Sequence, residues 1–401
     1  MLTTGLRTAV IGAGCLGTLA AARLVRLGHV VTVFDRGRDW WSGASGVGEG
    51  KVHLGYVYLR ASEAFLETTV GSALRFRRGV EEAVGRRLDW SSLRGTEFVY
   101  QFGAGSAFGP ADLVRHAERL AGIAGRLAAT CGDEYLGTRL DNGMVETLTV
   151  DPCGLRTPEA CIDVPRLRSE IVTAVTAMRG ITVRFGMDVI DASKRAAGWM
   201  LQTHGREPAT TREDGPFDLV VNCSWDGAER LDAAALGRPP RRLNYRLRQY
   251  LSGVSPDPPL ARTIVHGAFG DYASFGTGRV YMTWYPAGLL GFTVGAEPPA
   301  EWQAQAVERP ATPAEINAVV CELGRYVPQA ARVRDVVVAA RIVVAAGETD
   351  ITDARSDLHD RETVGIEETD GWIRPRSPKL STAPYASMLL AEHVQHHHAY
   401  R

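Results

Sequence analysis

The amino-acid sequence predicts an α/β protein: a Rossmann-like dinucleotide-binding domain in discontinuous segments, plus an inserted α+β domain with an antiparallel sheet. Three observations predict it. The chain opens with an apolar strand, a glycine-rich turn, a helix and a second strand ending in an acid. Strand and helix patterns that suit the same fold return near residues 161–223 and at the end of the chain. Between them, residues 241–300 read as successive short strands dense in aromatics and glycine.

The first unit is the most specific. Residues 7–11 form the strand, and Gly12-Ala13-Gly14-Cys15-Leu16-Gly17 forms the turn. Gly12 permits the tight bend, Gly14 lets backbone approach a pyrophosphate, and Gly17 lets helix and strand pack closely. The helix reads from Thr18 to Leu27 and is closed by Gly28. A strand from Val30 to Phe34 delivers Asp35, 23 residues after Gly12, where a carboxylate can accept a ribose hydroxyl; Arg36 follows it. A ribose does not distinguish NAD from FAD, so both dinucleotides remain open at this point.

Further along, residues 61–90 show helical spacing, Thr96–Phe102 reads as a strand and Ala111–Leu127 as a helix. Residues 128–160 read as irregular, with a turn at Asp141-Asn142-Gly143. A helix follows from Arg166 to Met178, then a strand from Ile181 to Phe185, the start of another at Val189-Ile190, and a buried strand in Asp218–Cys223. The inserted sheet is read at Tyr245–Leu251, Thr263–Gly267, Tyr272–Phe275, Arg279–Tyr285 and Leu290–Val294. Pro313–Tyr326 reads as a helix, Val336–Val344 as a strand, and the chain closes on a helix beginning near Pro384. The domain assignment is 1–90, 160–230 and 340–401 for the dinucleotide-binding part, and 91–159 and 231–339 for the substrate part.

Composition narrows the function. A net charge of −1 leaves no electrostatic footprint for nucleic acid or an anionic membrane surface. No apolar run reaches membrane-spanning length and the first strand starts almost at once, so the expected location is the cytoplasm. The six cysteines (15, 131, 153, 161, 223 and 321) form no Cys-x-x-Cys pair and no zinc spacing. The terminal His393 and His396–His398 offer metal ligands but read as a frayed, solvated end, and no metal site is expected.

Further segments carry a family resemblance. Gly43-Ala44-Ser45-Gly46-Val47-Gly48-Glu49-Gly50-Lys51, then Val52-His53-Leu54-Gly55-Tyr56-Val57-Tyr58, and finally Lys379-Leu380-Ser381-Thr382 with Ala391-Glu392 and Val394, extend the opening motif. Together they resemble the D-amino-acid-oxidase-like superfamily of FAD-dependent oxidoreductases. That group includes sarcosine and glycine oxidases, L-2-hydroxyglutarate dehydrogenases and FAD-linked glycerol-3-phosphate dehydrogenases. The resemblance implies noncovalent FAD held by Gly12, Gly14, Cys15, Leu16, Gly17, Asp35, Arg36, Ser45, Lys51, Val189, Lys379, Leu380 and Ser381. Ser45 lies on the pyrophosphate stretch, Val189 contacts adenine through its backbone, and residues 379–381 meet the pyrimidine end of the flavin. Arg376-Ser377-Pro378 departs from the family pattern, which has glycines there.

The same resemblance implies the catalytic set. Lys51 stands beside the flavin, where a cation stabilises the reduced ring, and His53 can take or hold a proton. Arg341 and Arg355 stand where family members bind carboxylate or phosphate, for which an arginine fork is suited. Tyr245, Tyr250, Tyr272, Trp284 and Tyr285 either line a pocket or build a core. The leading expectation is oxidation of a C–N bond in a small, anionic amine or amino acid, with oxygen or another acceptor taking the electrons. The alternatives are a 2-hydroxy acid or polyol dehydrogenase using FAD, an NAD-dependent dehydrogenase, and a flavoprotein without catalysis.

Overall fold

A computed structural model describes residues 5–103, 105–132, 134–140, 146–148, 154–206, 209–265, 270–350, 356 and 364–398. The opening strand, Arg7–Ile11, sits inside a six-stranded sheet. Its neighbours are Val30–Asp35 on one side and Leu219–Asn222 on the other, both parallel. Ile181–Phe185 extends the sheet beyond Val30–Asp35, and Trp372–Arg376 extends it beyond Leu219–Asn222. Gly365–Thr369 closes that edge antiparallel. The central strands are mostly apolar because both faces are covered: Val10, Val31 and Val33 pack with the helices, and Ala9, Ile11, Phe34 and Val220 with Val189, Trp199, Leu201 and Phe217. Leu19, Ala20, Ala21, Ala22 and Leu24 of the first helix, Cys15–Arg26, are fully buried. Arg23 ties that helix to its neighbours, donating to Ser387 Oγ (3.1 Å) on the terminal helix and to the Gly79 carbonyl (2.7 Å) on the second helix.

Helix ends follow local chemistry. The Glu63–Val84 helix starts at Ser62, whose hydroxyl accepts the Phe65 N–H, and stops at Gly85 with φ +74°. The Val164–Thr176 helix starts at Asp163, which accepts the Arg166 N–H at 3.2 Å, with Pro165 in its first turn. Pro313–Leu323 has a reciprocal cap between Thr312 and Glu315.

The second large sheet has ten strands and carries the far wall of the candidate site. Leu243–Val254 lies at its centre, antiparallel to Arg279–Trp284, Leu289–Gly295 and Arg334–Ala345. Gly270–Ser274 and Ala261–Val265 follow outward, and Ala261–Val265 runs parallel to Arg94–Phe102. The predicted strands of 241–300 are present among the described residues, the one read as Thr263–Gly267 as Ala261–Val265.

Three expectations need correction, and one pair of strands was not foreseen. The helical reading of 61–90 is two helices, because Gly85 ends the first and Trp90–Leu93 forms a separate turn. Residues 128–160 are not uniformly irregular: a helix runs from Pro110 to Cys131, and Gly154–Ile162 is a strand paired with Arg94–Phe102. Pro158, which has no N–H, and the charged Arg156 and Glu159 hide that strand, and the register shifts around Glu97 accommodate them. The Gly198–Arg206 and Ala209–Phe217 strands were not expected, since their outer face is polar; with Met187–Arg195 they form a three-stranded sheet. The terminal helix does not fray: it spans Ala383–His398, and His398 is buried. The turn expected at Asp141-Asn142-Gly143 lies outside the described residues. Among the described residues, no helix is long and apolar enough to cross a membrane.

Candidate active site

One elongated cavity of about 760 Å³ runs between the two large sheets. At one end it is lined by Gly12, Gly14, Cys15, Leu16, Asp35, Arg36, Ser45 and Val189, and at the other by Lys51, His53, Arg341, Lys379, Leu380 and Ser381. The structure therefore brings together residues scattered over more than three hundred positions. Gly17 lies beneath the turn: a Cβ there would stand 1.9 Å from the Gly12 carbonyl oxygen. Arg355 lies outside the described residues.

The glycine-turn end is built largely from backbone. Gly12 has φ +102°, and a Cβ on it would meet the Cys223 carbonyl at 2.5 Å. The first helix points its N-terminus at the cavity, and Ser45 Oγ accepts the Cys15 N–H at 2.9 Å. Asp35 accepts the Ala13 and Gly37 N–H groups at 2.6 Å each, which orients its carboxylate at the rim. Burial pushes Asp35 upward, and those two hydrogen bonds only partly oppose it. Arg36 forks onto Asp226 at 2.7 and 2.8 Å.

The opposite end is a network of buried charges. Lys51 Nζ donates to Thr263 Oγ1 (2.5 Å) and Asp271 Oδ1 (2.9 Å) and stands 4.2 Å from the Phe98 ring centroid. Burial is the largest single influence and disfavours its charge, but Asp271, Glu49 and Glu159 together outweigh it and raise its proton affinity above that of an ordinary lysine. Burial likewise opposes the Asp271 charge, and Lys51, the Thr263 hydroxyl and His53 together overcome it, so Asp271 sits below the usual carboxylate range.

Lys379 differs. Its Nζ is 3.2 Å from His53 Nε2 and 4.5 Å from the Tyr58 ring centroid, and burial pushes it down to about 7. The contact with His53 needs one N–H and one lone pair, so the two groups share a proton between them. His53 Nδ1 faces Glu159 Oε1 at 3.6 Å. Glu159 is fully buried, accepts from Leu54 N–H (2.6 Å) and Tyr100 Oη, and is raised by burial.

Several of these residues escaped the sequence reading. Glu159 lay in the segment read as irregular. Thr263 and Asp271 reach Lys51 only through strand pairing. Arg246 and Arg248 had a legible signal: with Asn244 and Tyr250 they alternate along one strand and share a face. Arg248 lines the cavity 4.0 Å from the Tyr285 ring centroid, with Nη2 3.4 Å from Thr283 Oγ1. Tyr250, Tyr281 and Tyr285 also line it, whereas the buried Tyr245, Tyr272 and Trp284 stand away from it. Arg341 gives its N–H groups to the carbonyls of Gly43 (3.2 Å), Ala306 (3.1 Å) and Ala340 (2.7 Å), pinning the Gly43 loop to the second sheet.

A glycine cradle, a helix N-terminus and a rim carboxylate at one end, with a charged, aromatic chamber at the other, fit an elongated dinucleotide whose reactive ring lies in the chamber. The profile of the FAD dependent oxidoreductase family matches residues 7–390. The chain belongs to that family: it is an FAD-dependent oxidoreductase, and FAD resolves the choice of dinucleotide that Asp35 left open. Among solved structures it is similar to glycine oxidase from Geobacillus kaustophilus, at 15% identity and TM-score 0.64 over 98% of this chain and 95% of that one. It is also similar to L-amino acid deaminase from Proteus myxofaciens, at 14% identity and TM-score 0.66 over 98% and 91%. L-alpha-glycerophosphate oxidase from Mycoplasma pneumoniae, solved with FAD bound, matches at 13% identity and TM-score 0.61 over 98% and 94%. No curated protein matches the chain.

Proposed function

We propose that this oxidoreductase oxidises the C–N bond of a small amine or amino acid that carries a carboxylate. Arg248 carries the reading. It is a largely enclosed cation on the cavity wall, its Nε has no hydrogen-bond partner among the described residues, and no carboxylate there lies within ion-pair distance of it. A guanidinium so placed is costly unless an anion joins it, and a substrate carboxylate supplies one bidentately. Burial pushes the phenols of Tyr250 and Tyr281 upward, so both remain hydrogen-bond donors at physiological pH. Arg341, the residue first expected in this role, is engaged by backbone, and Arg248 replaces it in the proposal.

In this reading Gly12, Gly14, Ser45 and the first helix hold the pyrophosphate of a noncovalent FAD, Asp35 the ribose, Val189 the adenine and residues 379–381 the ring end. Bound FAD supplies the acceptor for a hydride from the substrate carbon. The chain does the rest. Arg248 and the tyrosines orient the substrate by its carboxylate. The His53–Lys379 pair takes the ammonium proton, freeing the nitrogen lone pair to form the C=N bond as hydride leaves the carbon. Glu159 holds the His53 ring, and Lys51 keeps a fixed positive charge.

Anaerobic mixing of the flavin-loaded protein with a panel of amino acids, neutral amines and 2-hydroxy acids tests this. Anionic amines are expected to bleach the visible flavin absorbance, and Arg248→Ala to raise KM roughly a hundredfold, as loss of a charged contact does. Equal bleaching by neutral amines, or an unchanged KM, would overturn the reading. The His53–Glu159 contact supports a second reading, a 2-hydroxy acid whose hydroxyl proton goes to His53; bleaching by hydroxy acids alone would select it.

A further inference from the structure

The terminal helix meets the redox cavity at its start and a cluster of metal-ligating side chains at its end. Glu368, on the edge strand Gly365–Thr369, holds one histidine on each carboxylate oxygen. His398 Nε2 is 2.9 Å from Oε1, and His393 Nε2 is bonded to Oε2. The Gly371 N–H donates to Oε1 at 3.2 Å and orients the carboxylate from behind. One ligand atom from each of the three residues lies within 4.8 Å of the others. The His398 side chain is only 4% exposed, against 23% for His393 and 17% for Glu368. Its Nδ1 has no hydrogen-bond partner among the described residues. None of the three lines the redox cavity.

We propose that Glu368, His393 and His398 bind one divalent cation of the zinc class, which clamps the last turn of the terminal helix to the edge of the six-stranded sheet. Two imidazoles and one carboxylate are the donor set such ions accept, at about 2.0–2.2 Å from each ligand atom. In a tetrahedral site those bonds separate the ligand atoms by roughly 3.3 Å, a spacing that small side-chain rotations reach from the present arrangement. Each Nε2 then gives its lone pair to the ion, its proton moves to Nδ1 or to solvent, and the carboxylate keeps its charge. The partly exposed side of Glu368 and His393 leaves the fourth position to water. The Gly371 N–H is the outer contact that fixes a ligating carboxylate. The rival is a helical pair, His393 with His397, whose rings stand 4.5 Å apart and which needs no carboxylate.

The test uses the full chain with FAD bound, cleared of metal with a chelator and titrated with zinc chloride by calorimetry, with thermal unfolding in parallel. One zinc ion per chain is expected, with an unfolding temperature that rises with zinc concentration. Glu368→Gln should weaken binding roughly tenfold or more while keeping the flavin spectrum, as should His398→Ala, and His397→Ala should leave it unchanged. Glu368→Gln keeps the side chain's shape and one acceptor oxygen for the Gly371 N–H while removing the charge, so it decides the matter even if His398→Ala does not fold. Absence of stoichiometric binding, or binding that survives Glu368→Gln and disappears in His397→Ala, would overturn the proposal.

Discussion

Two walls of the cavity each present a lysine, Lys51 buried and Lys379 half-buried, and the two have opposite character. On the wall formed by the Val52–Tyr58 approach and the ten-stranded sheet, Lys51 touches Asp271 and Thr263. On the wall formed by the terminal segment, the Lys379 ammonium meets the His53 ring nitrogen and the Tyr58 face, and Glu49 and Lys51 act on it through space in opposite directions. Burial acts on both in the same direction. For Lys51 the contacting Asp271, helped by Glu49 and Glu159, reverses the outcome; Lys379 has only Glu49 to oppose burial, is further disfavoured by the charge of Lys51, and stays near neutrality. One wall thus supplies a permanent charge and the other a group that gains and loses a proton at working pH.

The largest expected effect of this contrast is on stability against pH. The unfolded Lys379 takes the ordinary value of 10.5 and the folded one about 7, so between those values the unfolded chain holds more protons. Stability should therefore rise with pH across that window: the penalty of the buried charge is complete below about 7 and gone above 10.5. Its full size is on the order of 5 kcal/mol. Chemical denaturation from about pH 6 to about pH 9.5 should show that rise in the wild type and a flatter line for Lys379→Met, with the variant at least as stable at neutral pH. Parallel lines for the two proteins would erase the difference between the walls.

Lys51→Met should act in the opposite direction. It leaves Asp271 enclosed without its counter-charge, at a cost of about 3 kcal/mol in chemical denaturation. Adding Asp271→Asn should recover much of that loss, which separates the pair from simple packing. If Lys51→Met were neutral, the paired wall would not depend on its ion pair. The smallest expected change is Thr263→Val, which removes a bridge hydroxyl between Lys51 and Asp271. A loss of about 1 kcal/mol in the same assay, with the pH response of Lys379 unaltered, would place the effect on one wall only.

How far the sequence reached differs between the two walls in the same way. Lys51, His53 and residues 379–381 could be singled out because each sits in a short run that resembles a segment of the family. Their partners could not. Asp271 comes to Lys51 because Gly270–Ser274 pairs with Ala261–Val265, placing Thr263 opposite Asp271. Glu159 reaches His53 from a strand that Pro158 disguises. Arg246 and Arg248 share a strand face on their spacing alone, but which face meets the cavity depends on the neighbouring strands.

By itself the sequence determined the dinucleotide unit, with its glycine turn, its helix ends and the acid after the second strand. Those features depend on backbone freedom, capping and spacing within a few tens of residues. Only the tertiary structure decided which lysine is ion-paired, which cavity arginine is held by backbone carbonyls and where the terminal histidines rest. Those outcomes depend on contacts between residues far apart in the chain, where proximity and exclusion of water set the energy of a charge.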